Sequence, residues 1–394
     1  MAEMAEMGES VVAIKNCGKP MRISPKVRML GGILVGLMLF AVGRPAMSAQ
    51  TGEVEFELAQ AAAREGRYRE VIEILSDLLL DPELGPAGQV VAYSNRGIAY
   101  SLLNAYGLAK QDLEAAHYID PHHLLTLNHL GILAAQVDHD PTAAVNYFGL
   151  AASVGFAPSL VALADLLLKG QGVAKDEHRA FALYEQAAKA NYSLAYNGLG
   201  EMLMHGTGTS RDAFQAIAWF KRAVSSGVVD ANYQLGLAYD AGTGVGIDAA
   251  EAVAQYQVAA MQGHAGAQNA LGYMYRRGRG VPQSYIKAAQ WYRLAADQGE
   301  AAAQNRLAWL LAGCPVAQIC NGEAAISWAQ QAIQQALHPG YLDSLAAGYA
   351  RTGEFEMAIN TLQQALKTDG LSTSDRLSYE RRLRLYQRGE SYQL

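Results

Sequence analysis

Proline is scarce in this sequence, 11 in 394 residues against 39 glycines, so chain breaks fall to glycine rather than proline. Windows that alternate Val, Ile or Thr with polar residues are few, which argues against a sheet-rich architecture. Charged residues make up only 17% while hydrophobic residues reach 51%, a balance that argues against long disordered tracts. There is no Gly-x-x-x-x-Gly-Lys-Ser/Thr loop and no Gly-x-Ser-x-Gly, so the phosphate-loop and serine-elbow routes to catalysis are excluded. What is present is alanine, leucine, glutamine and tyrosine recurring at helical spacing. The chain reads as all-α.

The first fifty residues stand apart. Arg22, Lys26 and Arg28 precede an uncharged run from Met29 to Gly43, and Ala46 and Ser48 supply small residues just beyond it. A basic segment, an apolar stretch and a small-residue exit are the parts of a secretory signal peptide over residues 1–49. Fifteen helical residues span about 22 Å, short of the roughly 30 Å hydrocarbon core, so an inner-membrane anchor formed by residues 29–43 is the second choice. Either Met1 or Met21 serves as the start. The cleavage region has no cysteine, which leaves a bacterial lipid anchor unsupported. Export would make the working compartment periplasmic. Without the six basic and three acidic residues of positions 1–49, the totals of 31 and 37 become 25 and 34, a net of −9. Such a surface disfavours nucleic acid, and membrane contact is expected only through the N-terminal segment if it stays uncleaved.

In the middle of the chain, "MYRRGRGVPQSYIKAAQWYRLAADQG" (Met274 to Gly299) could be read as a phosphate cradle, a nucleic-acid patch or a turn between helices. Periodicity decides. The Gly-x-Gly at Gly278/Gly280 recurs at Gly242/Gly244, Gly206/Gly208 and Gly170/Gly172, each displaced by 36 residues. Tyr184, Phe220, Tyr256 and Tyr292 follow at one offset, and Leu199-Gly200, Leu235-Gly236 and Leu271-Gly272 precede, with Leu163-Ala164 as a variant. Each unit predicts a helix of about 11 residues, a glycine loop and a helix of about 13. The first helix is expected to end near Arg277 on a left-handed glycine, and Ser284 to cap the second. The aromatic is expected to fill the space between successive hairpins. The arginines do not recur: Asp240, Ala241 and Thr243 hold the places of Arg276, Arg277 and Arg279 one unit earlier.

Ala267, Leu271-Gly272, Tyr275, Gly278, Gly280-Val281, Lys287-Ala288, Trp291-Tyr292, Ala295-Ala296 and Gly299 together resemble the Sel1-like repeat. Four such repeats are placed at 158–300. Upstream, Gly97, Tyr100, Ala109, Ala116 and Pro121 are similar to a tetratricopeptide repeat, and residues 52–157 are assigned to units of that kind. Downstream, Leu345, Tyr349, Gly353, Phe355, Ala358 and Ala365 match again within hairpins at 301–372, and residues 373–394 form a polar capping helix with Ser374 as its N-cap. The resemblance implies a right-handed superhelical solenoid of stacked helix-turn-helix repeats. It also implies protein–protein binding and no cofactor.

Cys314 and Cys320 lie in the one irregular loop and remain after export, so a local disulfide is expected, with a reduced structural pair as the alternative. Glu201 and His205, four apart on a helix, lack a third ligand, and His117, His122, His123 and His139 read as loop residues rather than metal sites. No catalytic and no metal residues are assigned. The resemblance extends to exported, cysteine-rich Sel1-like proteins linked to β-lactam binding or hydrolysis. Those carry a disulfide per repeat, whereas residues 159–300 contain no cysteine.

Recognition therefore remains as the function. First helices line the ligand-binding face in tetratricopeptide proteins. On these helices Asn197, Tyr233, Asn269 and Asn305 recur 36 apart, and Asn95 holds a comparable place upstream. Amide side chains can grip a peptide backbone by donor and acceptor, so the ladder is the candidate partner-binding set. The other reading is that it bridges neighbouring helices. The expected partners are proteins of the envelope or of a secretion system, as in exopolysaccharide-secretion scaffolds. A periplasmic regulator that binds a membrane sensor is the alternative.

Overall fold

The computed structural model describes residues 52–313 and 316–394. The segment expected to direct export lies outside them, as does Cys314. Among the described residues there are 19 α-helices, one short 3-10 helix and no strand, and no helix is long and apolar enough to cross a membrane. The chain divides at Asp176/Glu177 into two compact units. Each is a stack of helical hairpins, which makes the architecture a helical solenoid.

The described part of the first unit holds α1 (Glu53–Arg64), α2 (Tyr68–Leu78), α3 (Pro86–Leu102), α4 (Tyr106–Ile119), α5 (Leu124–Gln136), α6 (Pro141–Ser153) and α7 (Ala157–Lys169). Proline opens α3 and α6, where its missing N–H costs no helical bond. Asp140 caps α6, its Oδ1 accepting from the Thr142 and Ala143 N–H groups at 3.1 and 3.0 Å. Val71, Leu75 and Ile98 pack with the small faces of Ala59, Ala62, Ala92 and Ala99, which lets α1, α2 and α3 approach closely. Arg96 grips Asp112 through Nε and Nη2 at 2.7 and 2.8 Å and donates to Ser76 at 3.0 Å, joining α2, α3 and α4. Its hydrogen bonds to Asp112 raise the guanidinium further above its usual range.

The second unit holds α8 (Glu177–Lys189), α9 (Ser193–His205), α10 (Ala213–Ser225), α11 (Val229–Ala241), α12 (Ala249–Met261), α13 (Ala265–Arg277), α14 (Tyr285–Asp297), α15 (Ala301–Gly313), α16 (Gly322–Gln335), α17 (Pro339–Thr352), α18 (Phe355–Leu366) and α19 (Thr373–Gln387). Odd-numbered helices from α9 to α17 are the first helices of their hairpins. At 13 residues the repeat's first helices run two longer than the spacing predicts.

The two loop glycines have different jobs. Gly206, Gly242 and Gly278 terminate α9, α11 and α13 with φ of 73°, 71° and 65°, their N–H groups returning to Met202, Ala238 and Met274. Gly208, Gly244 and Gly280 also have positive φ, but there an added Cβ would lie 2.1, 2.4 and 2.1 Å from the carbonyl oxygen of Glu177, Ala213 or Ala249. Each of those residues opens the second helix of the preceding hairpin. The second glycine therefore lets one hairpin's loop rest on the backbone of the hairpin before it. The loop closes when the N–H of Asp212, Asp248 or Ser284 returns to Leu203, Tyr239 or Tyr275 at 2.9 to 3.0 Å. Ser284 caps α14 as expected.

Phe220, Tyr256 and Tyr292 each rest on their own hairpin, and Tyr256 and Tyr292 also pack against the first helix of the next one, through Ala267, Leu271 and Met274 and through Ala303 and Leu307. An added Cβ at Gly200, Gly236 or Gly272 would meet their rings at 2.4 to 2.5 Å, so the Leu-Gly glycine is the seat for the aromatic. In the irregular hairpin the Asn321 N–H returns to Leu311 at 3.1 Å, the same closure made without the two glycines. The terminal helix is capped by Ser372 rather than Ser374. Ser372 Oγ accepts from the Asp375 N–H at 3.0 Å and donates to the Asp375 carboxylate at 2.6 Å, a reciprocal box that Ser374, three residues before Leu377, cannot form.

Candidate partner-binding surface

The asparagine ladder stands where the first helices of successive hairpins face one another, and most of it is engaged inside the chain. Asn269 on α13 donates to Glu300 Oε1 at 3.1 Å and accepts from Arg306 Nη1 at 3.0 Å, so it joins its own hairpin to the next. Asn197 on α9 donates to Glu201 at 2.8 Å, and the same Glu201 oxygen accepts from Gln234 on α11 at 3.0 Å. Tyr233 on α11 lies against the ring of His264, with 4.5 Å between centroids. Asn95 on α3 donates to Val91 in its own helix at 2.9 Å. The bridge to the following hairpin is made one residue earlier, by Ser94, whose Oγ lies 2.6 Å from Thr126 Oγ1 and 3.2 Å from His123 Nδ1. The Oδ1 atoms of Asn95, Asn197 and Asn305 are buried and have no hydrogen bond among the described residues.

A rule links these pairs. The partner is often the N-cap of the next first helix: His264 caps α13, accepting the Ala267 N–H on Nδ1 at 3.0 Å, and Glu300 accepts the Ala303 N–H at 2.7 Å at the start of α15. Burial drives the ionisations toward the neutral forms. It lowers His264 despite Asp230, whose Oδ1 lies 3.5 Å from Nε2, and raises Glu300 and Tyr233. His264 thus favours the Nε2–H tautomer, with Nδ1 accepting the cap hydrogen bond and Nε2 facing Asp230. The arrangement does the work of joints between helices.

Two residues at the ladder position escaped the sequence reading. Asn128 on α5 accepts from Ser159 Oγ on α7 at 2.9 Å. Asp343 on α17 receives Arg382 from α19 through Nε and Nη2 at 2.8 and 2.7 Å, with the guanidinium among the rings of Trp309, Tyr379 and Tyr392. Burial raises the Asp343 carboxyl, and the guanidinium it grips opposes that. A motif was there to be found: Asn128, Asn197, Asn269, Asn305 and Asp343 each stand two residues before a leucine followed by Gly or Ala.

The other candidates resolve into structure. Glu201 is taken up by the ladder, His205 ends α9, His117 sits edge-on to Tyr147, and His139 occupies a left-handed turn with φ of 54°. No group of His, Cys, Asp and Glu among the described residues could hold a metal ion. Cys320 carries a disulfide, and its expected partner lies outside the described residues. Arg279, one of the three non-recurring arginines, pairs with Asp240 Oδ1 at 3.1 Å and so fastens its loop to the preceding hairpin.

The Sel1 repeat model matches six consecutive stretches: residues 128–156, 157–192, 193–228, 229–264, 265–300 and 301–337, over half of the chain. The chain belongs to the Sel1 repeat family. The Sel1 match runs one unit further on each side than the four repeats read from the sequence. A Sel1 repeat protein from Oxalobacter formigenes is similar in structure, with a TM-score of 0.52 and 29% identity over 61% of this chain and 99% of its own. Protein c5321, a protective antigen of uropathogenic Escherichia coli strains that displays an SLR fold, superposes with a TM-score of 0.58 at 23% identity, covering 87% of this chain and 76% of its own. Among curated proteins no match is found. The six-unit Sel1 match explains the joints: each is a device for repeating one hairpin, and chemistry particular to this Sel1 chain must lie in residues the repeat does not require.

Proposed function

We propose that this Sel1 repeat protein is a non-catalytic scaffold, exported to the bacterial cell envelope, that binds partner proteins on the surface of its first helices. Exopolysaccharide secretion or envelope assembly is the setting. One observation carries the reading. The recurring glycines, aromatics and caps are absorbed by stacking, whereas one position on successive first helices changes its chemistry from unit to unit, as Glu201 (held by Asn197 and Gln234), Leu237, Tyr273 and Trp309 (against Arg382). A surface of fixed spacing and varied chemistry suits a protein partner better than one repeated small ligand. The basic, apolar and small-residue run of the leader supports export, and pairing of Cys314 with Cys320 belongs to the same proposal.

The test places a photo-crosslinking amino acid at Arg277 on a first helix or at Leu294 on a second helix, both exposed, in the full chain expressed in its own cells. Discrete adducts from position 277 in the envelope fraction, with none from 294, are the expected result. Adducts from 294 alone would place the surface on the second helices. No adduct from either, with the chain retained in the cytoplasm, would overturn the proposal.

A further inference from the structure

Three arginines converge on one tyrosine. The guanidinium carbons of Arg276, Arg277 and Arg306 lie 5.6, 5.9 and 5.7 Å from the ring centre of Tyr273, with Tyr273, Arg276 and Arg277 on α13 and Arg306 on α15. None of the three forms an ion pair among the described residues, in contrast to Arg279 on Asp240 and Arg382 on Asp343. Glu300 neighbours them, but Asn269 and the Ala303 N–H already hold its carboxylate, and burial weakens its charge. Residues 252–296 contain five Lys or Arg and no Asp or Glu, so the stretch around Tyr273, Arg276 and Arg277 adds no counter-charge of its own.

Stacking takes up only part of this cluster: Arg306 donates through Nη1 to Asn269 Oδ1 at 3.0 Å, which leaves its other N–H groups and the guanidiniums of Arg276 and Arg277 outside the joint. One repeat earlier the four positions hold Leu237, Asp240, Ala241 and Ala270, none of them basic. Like charges gathered without a function cost stability, since each guanidinium raises the potential felt by the others. Resting on one aromatic face recovers part of that cost, and an anion would recover the rest. The size of the patch selects the anion. The chain as a whole has net charge −6, which repels a long polyanion such as nucleic acid or an acidic polysaccharide. Three forked donors around a half-buried tyrosine match two or three carboxylates spaced along a peptide.

We propose that Tyr273, Arg276, Arg277 and Arg306 form a docking site for a short acidic segment, rich in Asp or Glu, of a partner protein. This rests on the scaffold reading and gives that surface its polarity. The partner segment lies across the α13–α15 pair with its carboxylates on the guanidiniums and an apolar group against Tyr273.

The test is fluorescence anisotropy with the full chain and dye-labelled hexaglutamate, using hexaglutamine with the same dye as control. Hexaglutamate should bind, hexaglutamine should not, and the affinity should fall steeply as salt rises. The triple variant Arg276→Ala, Arg277→Ala, Arg306→Ala should lose more than about tenfold in affinity. Its melting temperature is the check on folding. The control variant Arg381→Ala, Arg384→Ala, on the exposed basic face of α19, should bind like wild type. Equal loss in that control, wild-type binding no tighter to hexaglutamate than to hexaglutamine, or displacement by heparin that the triple variant leaves unchanged would each overturn the site. Crosslinks from position 277 that survive in an otherwise triple-substituted chain would sink this site and leave the scaffold standing. Hexaglutamate binding in a chain that gives no envelope adducts would do the reverse.

Discussion

Gly278 and Gly280 stand two residues apart with φ of 65° and 70°, yet substitution should separate them widely. At Gly278 the demand is conformational: the residue follows α13 in the left-handed region, where asparagine is tolerated, and the nearest obstacle is the Cβ of Gln283 at 3.1 Å. At Gly280 the demand is contact, because any Cβ would overlap the Ala249 carbonyl and neighbouring backbone that cannot turn aside. Gly278→Asn is expected to cost under about 1 kcal/mol and Gly280→Asn about 3 kcal/mol or more, since the hairpins must move apart. Urea unfolding of the two variants measures this directly. Equal losses would mean that the second glycine serves conformation alone. The same contrast explains why the pair resembles a phosphate loop on paper: each glycine answers to backbone, and neither to a ligand.

At the scale of the helix, the caps of the first helices double as joints, and this makes one of them acid-sensitive. His264 caps α13 through an unprotonated Nδ1, and burial holds its pKa below the ordinary value. A folded-state pKa below that of the unfolded chain, about 6.5, means the stabilisation is complete above that pH and drains away as pH falls below it. Glu300, raised by burial, acts in the opposite sense, so the two must be separated by substitution. His264→Ser keeps a capping oxygen without a titrating ring. Its urea midpoint is expected to fall less between pH 7 and pH 5 than that of the wild type, and parallel declines would exclude the cap as the acid-labile joint. Much at this scale was legible beforehand: the glycine stops and the Leu-Gly pairs recur at 36 residues and Ser284 caps its helix as read, though the pairing of each Leu-Gly glycine with its ring was not. What stayed hidden is pairing between hairpins. Asn128 and Asp343 lie 69 residues before Asn197 and 38 after Asn305, off the regular period. The grip of Arg382 on Asp343 and of Arg279 on Asp240 spans 39 residues and follows from packing, which spacing alone does not encode.

At the scale of the whole chain, a stack whose neighbours interlock through the same contacts should accept removal of one complete repeat. Excising residues 265–300 joins His264 to Ala301, placing one cap residue before α15 in the position Glu300 now holds. Excising residues 229–264 joins Val228 to Ala265 in the same register, because Val228 stands at the cap position of α11. Both shortened chains are expected to fold with helical content per residue close to that of the full protein and with cooperative melting. They should differ in function. The first deletion removes Tyr273, Arg276 and Arg277 and should abolish hexaglutamate binding. The second keeps them with Arg306, though it removes the Asp240 partner of Arg279, and binding should survive with a lower melting temperature. Circular dichroism and anisotropy on the two proteins decide the matter. Collapse of both would show that these hairpins are not interchangeable, while loss of binding in both, with folding intact, would show that the acidic segment needs more of the surface than the α13–α15 pair provides.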